Sequence, residues 1–121
     1  MAQPPREIRL HKASRTLELI FPDGSRGVIP AELLRVLSPS AEVRGHGPDD
    51  RRLQSGKKYV EISTLEPVGN YAIRISFDDG HDSGIYSWDF LKDLLHNQET
   101  YWQDYLKQLK AANASRLPRI L

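Results

Sequence analysis

The stretch Asn70–Leu95, NYAIRISFDDGHDSGIYSWDFLKDLL, decides how this chain folds. Tyr71, Ile73, Ile75 and Phe77 alternate with Ala72, Arg74 and Ser76. A period of two is a strand with one apolar face and one mostly wet face. Asp78-Asp79-Gly80 follows, and Asp-Gly marks a hairpin because glycine takes φ > 0 without a Cβ clash. Gly84, Ile85 and Tyr86 predict the return strand. Ser87 is placed to cap a helix, its hydroxyl accepting from an orphaned N–H. Phe90, Leu91, Leu94 and Leu95 recur at helical spacing and give that helix one apolar face. The stretch thus predicts strand, turn, strand and helix, with its one histidine, His81, at the turn.

The pattern occurs a second time upstream. Phe21-Pro22-Asp23-Gly24 matches Phe77-Asp78-Asp79-Gly80. Gly27-Val28-Ile29-Pro30 falls where Gly84-Ile85-Tyr86-Ser87 falls, and Leu33, Leu34 and Leu37 correspond to Phe90, Leu91 and Leu94. True duplication and reuse of a common small unit both account for this.

Working outward, Ile8, Leu10 and His11 predict a first strand, and Leu17, Leu19 and Phe21 a second. Arg26 to Ile29 returns the chain. Pro30 suits a helix start, where its missing N–H costs nothing, so Ala31 to Leu37 is read as a short helix. Tyr59, Ile62 and Leu65 predict a strand ending before Pro67. Gln98 to Ala112 predicts a helix with a stripe of Tyr101, Tyr105, Leu109 and Ala112. Residues 1–5 and 113–121 are expected to be loose tails around a core of 7–112. The expected fold is one α+β domain over residues 1–121: two antiparallel β-hairpin plus helix units forming small sheets, with a C-terminal helix packed on them.

Composition narrows the function. At 121 residues there is room for one modest core. The net charge of +1 supplies no field to recruit nucleic acid or an acidic membrane. The chain has no cysteine, which removes disulfides, thiol nucleophiles and thiolate metal sites, and fits a cytoplasmic setting. No apolar run approaches the roughly 20 residues that cross a bilayer. Ser38 to Lys57 reads as a long loop carrying Glu42, Arg44, His46, Arg51 and Arg52, and long loops carry function more often than short connectors. Its basic residues lack the interleaved aromatics that would stack bases. No phosphate loop and no nucleophile–base–orienter set is present, so no enzyme activity is expected.

Gly69-Asn70-Tyr71-Ala72-Ile73, the run Asp79-Gly80-His81-Asp82-Ser83-Gly84-Ile85-Tyr86-Ser87, and Phe90-Leu91 resemble the domain at the N-terminus of gamma-butyrobetaine hydroxylase. The resemblance covers about residues 7 to 97. Small bacterial proteins consist of that domain alone, and it also occurs attached to iron–sulfur carrier ATPases. In the hydroxylase the resemblance implies a zinc module of three cysteines and one histidine, the cysteines following a Pro-Ala-x-x-Leu-Arg segment. Here that segment is Pro30 to Arg35, and the cysteine positions fall on Ser38, Ser40 and Val43. His81 alone matches a ligand, so the zinc centre does not transfer. The hydroxylase's oxygen chemistry belongs to a separate larger domain.

These readings converge on a non-catalytic accessory or protein-interaction domain with no cofactor and an unidentified protein partner. Its contact surface would be the Ser38–Gly56 loop and the turn at His81. Arg44, His46, Arg51, Arg52 and Trp88 are the candidate contact residues, with Trp102 a second aromatic anchor. The alternative is a helper protein binding one iron or zinc ion, linked to iron–sulfur protein maturation, in which His81, Glu42 and His46 converge beside Asp82.

Overall fold

The computed structural model describes residues 2–44 and 53–118. Three strands, β1 (Glu7–His11), β2 (Thr16–Ile20) and β3 (Arg26–Pro30), form an antiparallel sheet in chain order. Helix α1 (Ala31–Val36) follows at once, and α2 (Ala41–Arg44) adds one turn. A second antiparallel sheet then repeats the plan with β4 (Ile62–Val68), β5 (Ala72–Phe77) and β6 (Gly84–Ser87). Helices α3 (Trp88–His96) and α4 (Gln98–Ala111) complete the chain. The α+β architecture expected from sequence is present, each unit being a three-stranded meander followed by a helix.

The two units match in detail. Phe21 N–H donates to Ser25 O at 2.8 Å and Gly24 N–H to Phe21 O at 3.1 Å. Phe77 N–H donates to His81 O at 2.8 Å and Gly80 N–H to Phe77 O at 3.1 Å. Gly24 and Gly80 share a φ of 91°, which no side chain could adopt without strain. Each unit's helix then reaches to the other unit's turn. Arg35 of α1 pairs with Asp79 at 2.9 Å, and Lys92 of α3 pairs with Asp23. Between the units lies one core, drawn from Leu17, Leu19 and Ile29 on one side and Ile75, Tyr86 and Leu91 on the other.

Local chemistry explains the boundaries. Ser87 caps α3 as expected, its Oγ accepting from Phe90 N–H at 3.1 Å. Every residue of the six-residue α1 is buried, including Glu32 and Arg35, so this helix has no wet face and its charges need internal partners. Trp88 also lies inside the core, and its indole N–H donates to Asn70 O at 2.8 Å. It is therefore a packing residue at the start of α3, not a surface anchor.

Three expectations are corrected. Strand β4 runs through Pro67 to Val68, because β4 is a sheet edge and a missing N–H is tolerated there. The long loop contains the turn of helix α2. Residues 113–118 are not loose: Gly56 N–H donates to Ser115 O and Lys58 N–H to Arg116 O, both at 2.9 Å. Upstream, Ala2 N–H donates to Asp89 Oδ1. Among the described residues no helix is long and apolar enough to cross a membrane.

Leu91 is fully buried where α3 meets the sheets. Leu91→Ala should cost about 2–5 kcal/mol, read as a lower urea midpoint at unchanged m-value.

Candidate functional site

The polar groups with chemical potential gather where α1 ends against the β5–β6 turn. Arg35 and Ser38 leave the helix end, and Ser40 follows in the loop. Asp79 and His81 come from the turn opposite. Ser38 Oγ lies 2.8 Å from His81 Nε2, and Ser40 Oγ lies 3.3 Å from the same atom. Ser40 N–H donates to Ser38 Oγ at 3.3 Å. The Tyr86 phenol donates to Leu34 O at 2.5 Å and also meets the Ser38 hydroxyl. Burial pushes the Tyr86 hydroxyl well above the ordinary tyrosine range, so it stays protonated.

Asp79 ties this cluster to charge. Its Oδ2 accepts from Arg35 Nε at 2.9 Å and from Lys57 Nζ at 2.6 Å, while Oδ1 accepts from His81 N–H at 3.2 Å. Partial burial works to raise the Asp79 pKa. The hydrogen bonds from Lys57 and the His81 amide, and the Arg35 charge, outweigh it and hold the carboxyl down at about 2. Gln54 accepts from the far side of Arg35 at 3.2 Å. Gly84 makes room for the serine: a Cβ there would lie 2.5 Å from Ser38 Oγ and 2.9 Å from the Tyr86 ring. At the equivalent position of the first unit, a Cβ on Gly27 would meet only the tip of Leu95, at 2.9 Å.

A serine beside an imidazole is the beginning of a nucleophile–base pair. Burial separates this one from a working pair. Ser38 has no exposed surface, so no substrate carbonyl or phosphoryl group reaches its oxygen. Asp79 accepts from the backbone N–H of His81. As built, the cluster holds the loop after α1 to the turn.

The zinc centre implied by the family resemblance can be tested on the same geometry. Two ligands of one tetrahedral zinc, each about 2.0–2.2 Å from the ion, lie roughly 3.4 Å apart. Ser38 and His81 are closer than that, in direct hydrogen bond. The hydroxyls are neutral donors, and Val43, fully buried, offers none. These residues do not fit zinc. Among the described residues no group of three or more histidine, cysteine, aspartate or glutamate side chains could hold a metal ion.

Of the residues predicted from sequence, His81 is thus brought together with Ser38 and Ser40. Asp82 is exposed on the turn. Glu42 and Arg44 lie on α2, their side chains outside the description, and His46, Arg51 and Arg52 lie outside the described residues. Trp102 is half-buried, its ring under the Arg116 guanidinium. Sequence reasoning missed Asp79, Arg35 and Lys57 as one charge cluster. The available signal was Arg35 on a short helix that is otherwise apolar apart from Glu32.

A sequence profile of the family described as "Gamma-butyrobetaine hydroxylase-like, N-terminal" matches residues 8–92. A protein known from an NMR solution structure is 48% identical, with all of this chain and 95% of that chain covered and a TM-score of 0.85. A second NMR structure is 49% identical, covering 98% of this chain and 88% of that one at a TM-score of 0.83. A crystal structure from Acidithiobacillus ferrooxidans, of a protein with unknown function in the DUF971 family, is 35% identical. It covers 76% of this chain and 92% of its own at a TM-score of 0.64. No curated protein matches.

Two outcomes are expected. Gly84→Ala should cost about 1–3 kcal/mol, because Ser38 and Tyr86 are fixed, and Gly27→Ala should cost less, because the Leu95 tip can turn away; paired urea titrations compare them. The Asp79 pKa is depressed on folding, so its contribution is complete above pH 3.8 and is lost as pH falls toward 2. With solvent screening that contribution is about 1 kcal/mol, and acid titration of Asp79→Asn should lack this part of the fall in stability.

Proposed function

Because the chain belongs to the gamma-butyrobetaine hydroxylase-like N-terminal family, we propose that it is a non-catalytic accessory domain that acts by binding another protein. The observation that carries this reading is the closed cluster at His81. The serine and histidine that could do chemistry face each other inside the fold, and His81 is only 7% exposed. Meanwhile Ile85 on β6 and Tyr71 in the turn before β5 stand 46% and 55% exposed. Large side chains left outside while reactive groups are turned inward suit a surface that is recognised better than one that reacts.

In this proposal the contact surface is the Ser38–Gly56 loop with the turn it leans on, and the setting is cytoplasmic. Arg35, Ser38 and Ser40 hold the start of that loop against the turn, which lowers the ordering cost of binding. A resident iron or zinc ion has no supporting donor set among the described residues. In this proposal the domain works without a cofactor.

The test compares tag-free wild-type protein with Arg51→Glu/Arg52→Glu as bait at equal stability. The reading predicts one partner retained in fixed ratio by the wild type and released by the variant. A stoichiometric metal lost in His81→Ala, or turnover of a small molecule dependent on Ser38, would contradict it.

A further inference from the structure

A second buried polar site lies on the opposite end of α1. Glu32 is 5% exposed, yet its carboxylate is fully engaged. Tyr105 of α4 donates to Oε2 at 2.8 Å. Arg116 forms a two-pronged pair, Nε to Oε2 at 2.8 Å and Nη2 to Oε1 at 2.7 Å. The same guanidinium lies 4.9 Å from the centroid of the Trp102 ring. A buried carboxylate in a planar fork, with an aromatic face alongside, is a receptor for arginine; a lysine could match neither the fork nor the stacking.

The arginine arrives on a strap, residues 113–118. Asn113 takes a φ of 54° and turns the chain off the end of α4. Two backbone bonds then tie the strap to residues 56–58, Gly56 N–H to Ser115 O and Lys58 N–H to Arg116 O, both 2.9 Å. A cleft of about 610 Å³, lined by Ser55, Gly56, Asn113, Leu117 and Pro118 among others, remains beside it. The strap is thus held by two backbone bonds and one side-chain key, with space left over. Backbone bonds that give affinity and one pocket that gives selectivity are the means by which proteins read short peptide segments.

We infer that the groove formed by residues 56–58, Glu32, Tyr105 and Trp102 is an arginine-reading peptide site, which the chain's own strap occupies in cis. The partner it fits is a protein segment presenting one arginine, which binds by displacing Arg116. This goes beyond the interaction reading above and uses a different surface. The Ser38–Gly56 loop test can therefore fail while this one succeeds.

The probe is a synthetic peptide of residues 112–118, capped at both ends, titrated by fluorescence anisotropy against full-length protein. Arg116→Ala removes the internal competitor. It should bind the peptide about tenfold or more tightly than wild type does, since the apparent affinity scales with the open fraction. A peptide with alanine in place of its arginine should not bind, and Glu32→Gln/Arg116→Ala should lose binding. Should Arg116→Ala not fold alone, the peptide should restore its near-UV circular dichroism. Equal binding by wild type and Arg116→Ala, binding indifferent to the peptide's arginine or to Glu32, or no binding and no rescue would each overturn the inference. So would a mixture of wild type and Arg116→Ala that exchanges straps into dimers in sedimentation and ignores the peptide, since the occupant would then be a second copy.

Discussion

Asp79 is the point on which this structure turns. It is a carboxylate in a tight turn, met from across the domain by Arg35 and from the segment before β4 by Lys57. Arg35 comes from a helix with no solvent face, so its charge must be matched inside the protein or the helix cannot bury there. The counterpart in the other half is Lys92 on Asp23. Each unit's helix is thereby bolted to the other unit's turn. The two small sheets, each of three strands and too thin to bury much alone, share one apolar core across that join.

The two halves are nevertheless unequal, and the difference carries the functional argument. Ser25 and His81 occupy the same position in their turns, and Leu95 and Ser38 the same position against Gly27 and Gly84. In the first unit that neighbourhood is an exposed contact between His96 and Ser25, at 3.3 Å. In the second it is a buried knot of Ser38, Ser40, His81 and Tyr86. Replacing an apolar contact with buried polar groups destabilises a fold unless every group finds a partner. Among the described residues no buried side-chain nitrogen or oxygen lacks one. A fully satisfied knot is rigid, and it anchors the beginning of the long loop.

Much of this was legible in the sequence because it rests on local chemistry. The Asp-Gly turns, the alternation of Ile73 to Phe77, the Ser87 cap and the matching of the two units all depend on neighbours within a few residues, whereas Tyr71, expected on the apolar face, stands exposed in the turn before β5. Pro67 was misread because its effect depends on whether its strand lies at an edge, which sequence order does not reveal. The engagement of Arg116 was invisible because its partner, Glu32, is 84 positions away. Trp88 looked like a surface anchor because nothing in the sequence marks Asn70 O as the acceptor for its indole. The His81 neighbourhood was partly legible: the family resemblance aligned Ser38, Ser40 and His81, but only their distances distinguish a hydrogen-bonded staple from a metal cage.

The central claim is that this domain holds its shape through packing, ion pairs and hydroxyl–imidazole hydrogen bonds, with no coordinated ion. Urea unfolding of tag-free protein, before and after exhaustive treatment with a strong chelator, tests it most directly. The account predicts superimposable curves and no metal in the dialysate. A midpoint lowered by the chelator, with one equivalent of metal released per chain, would contradict it.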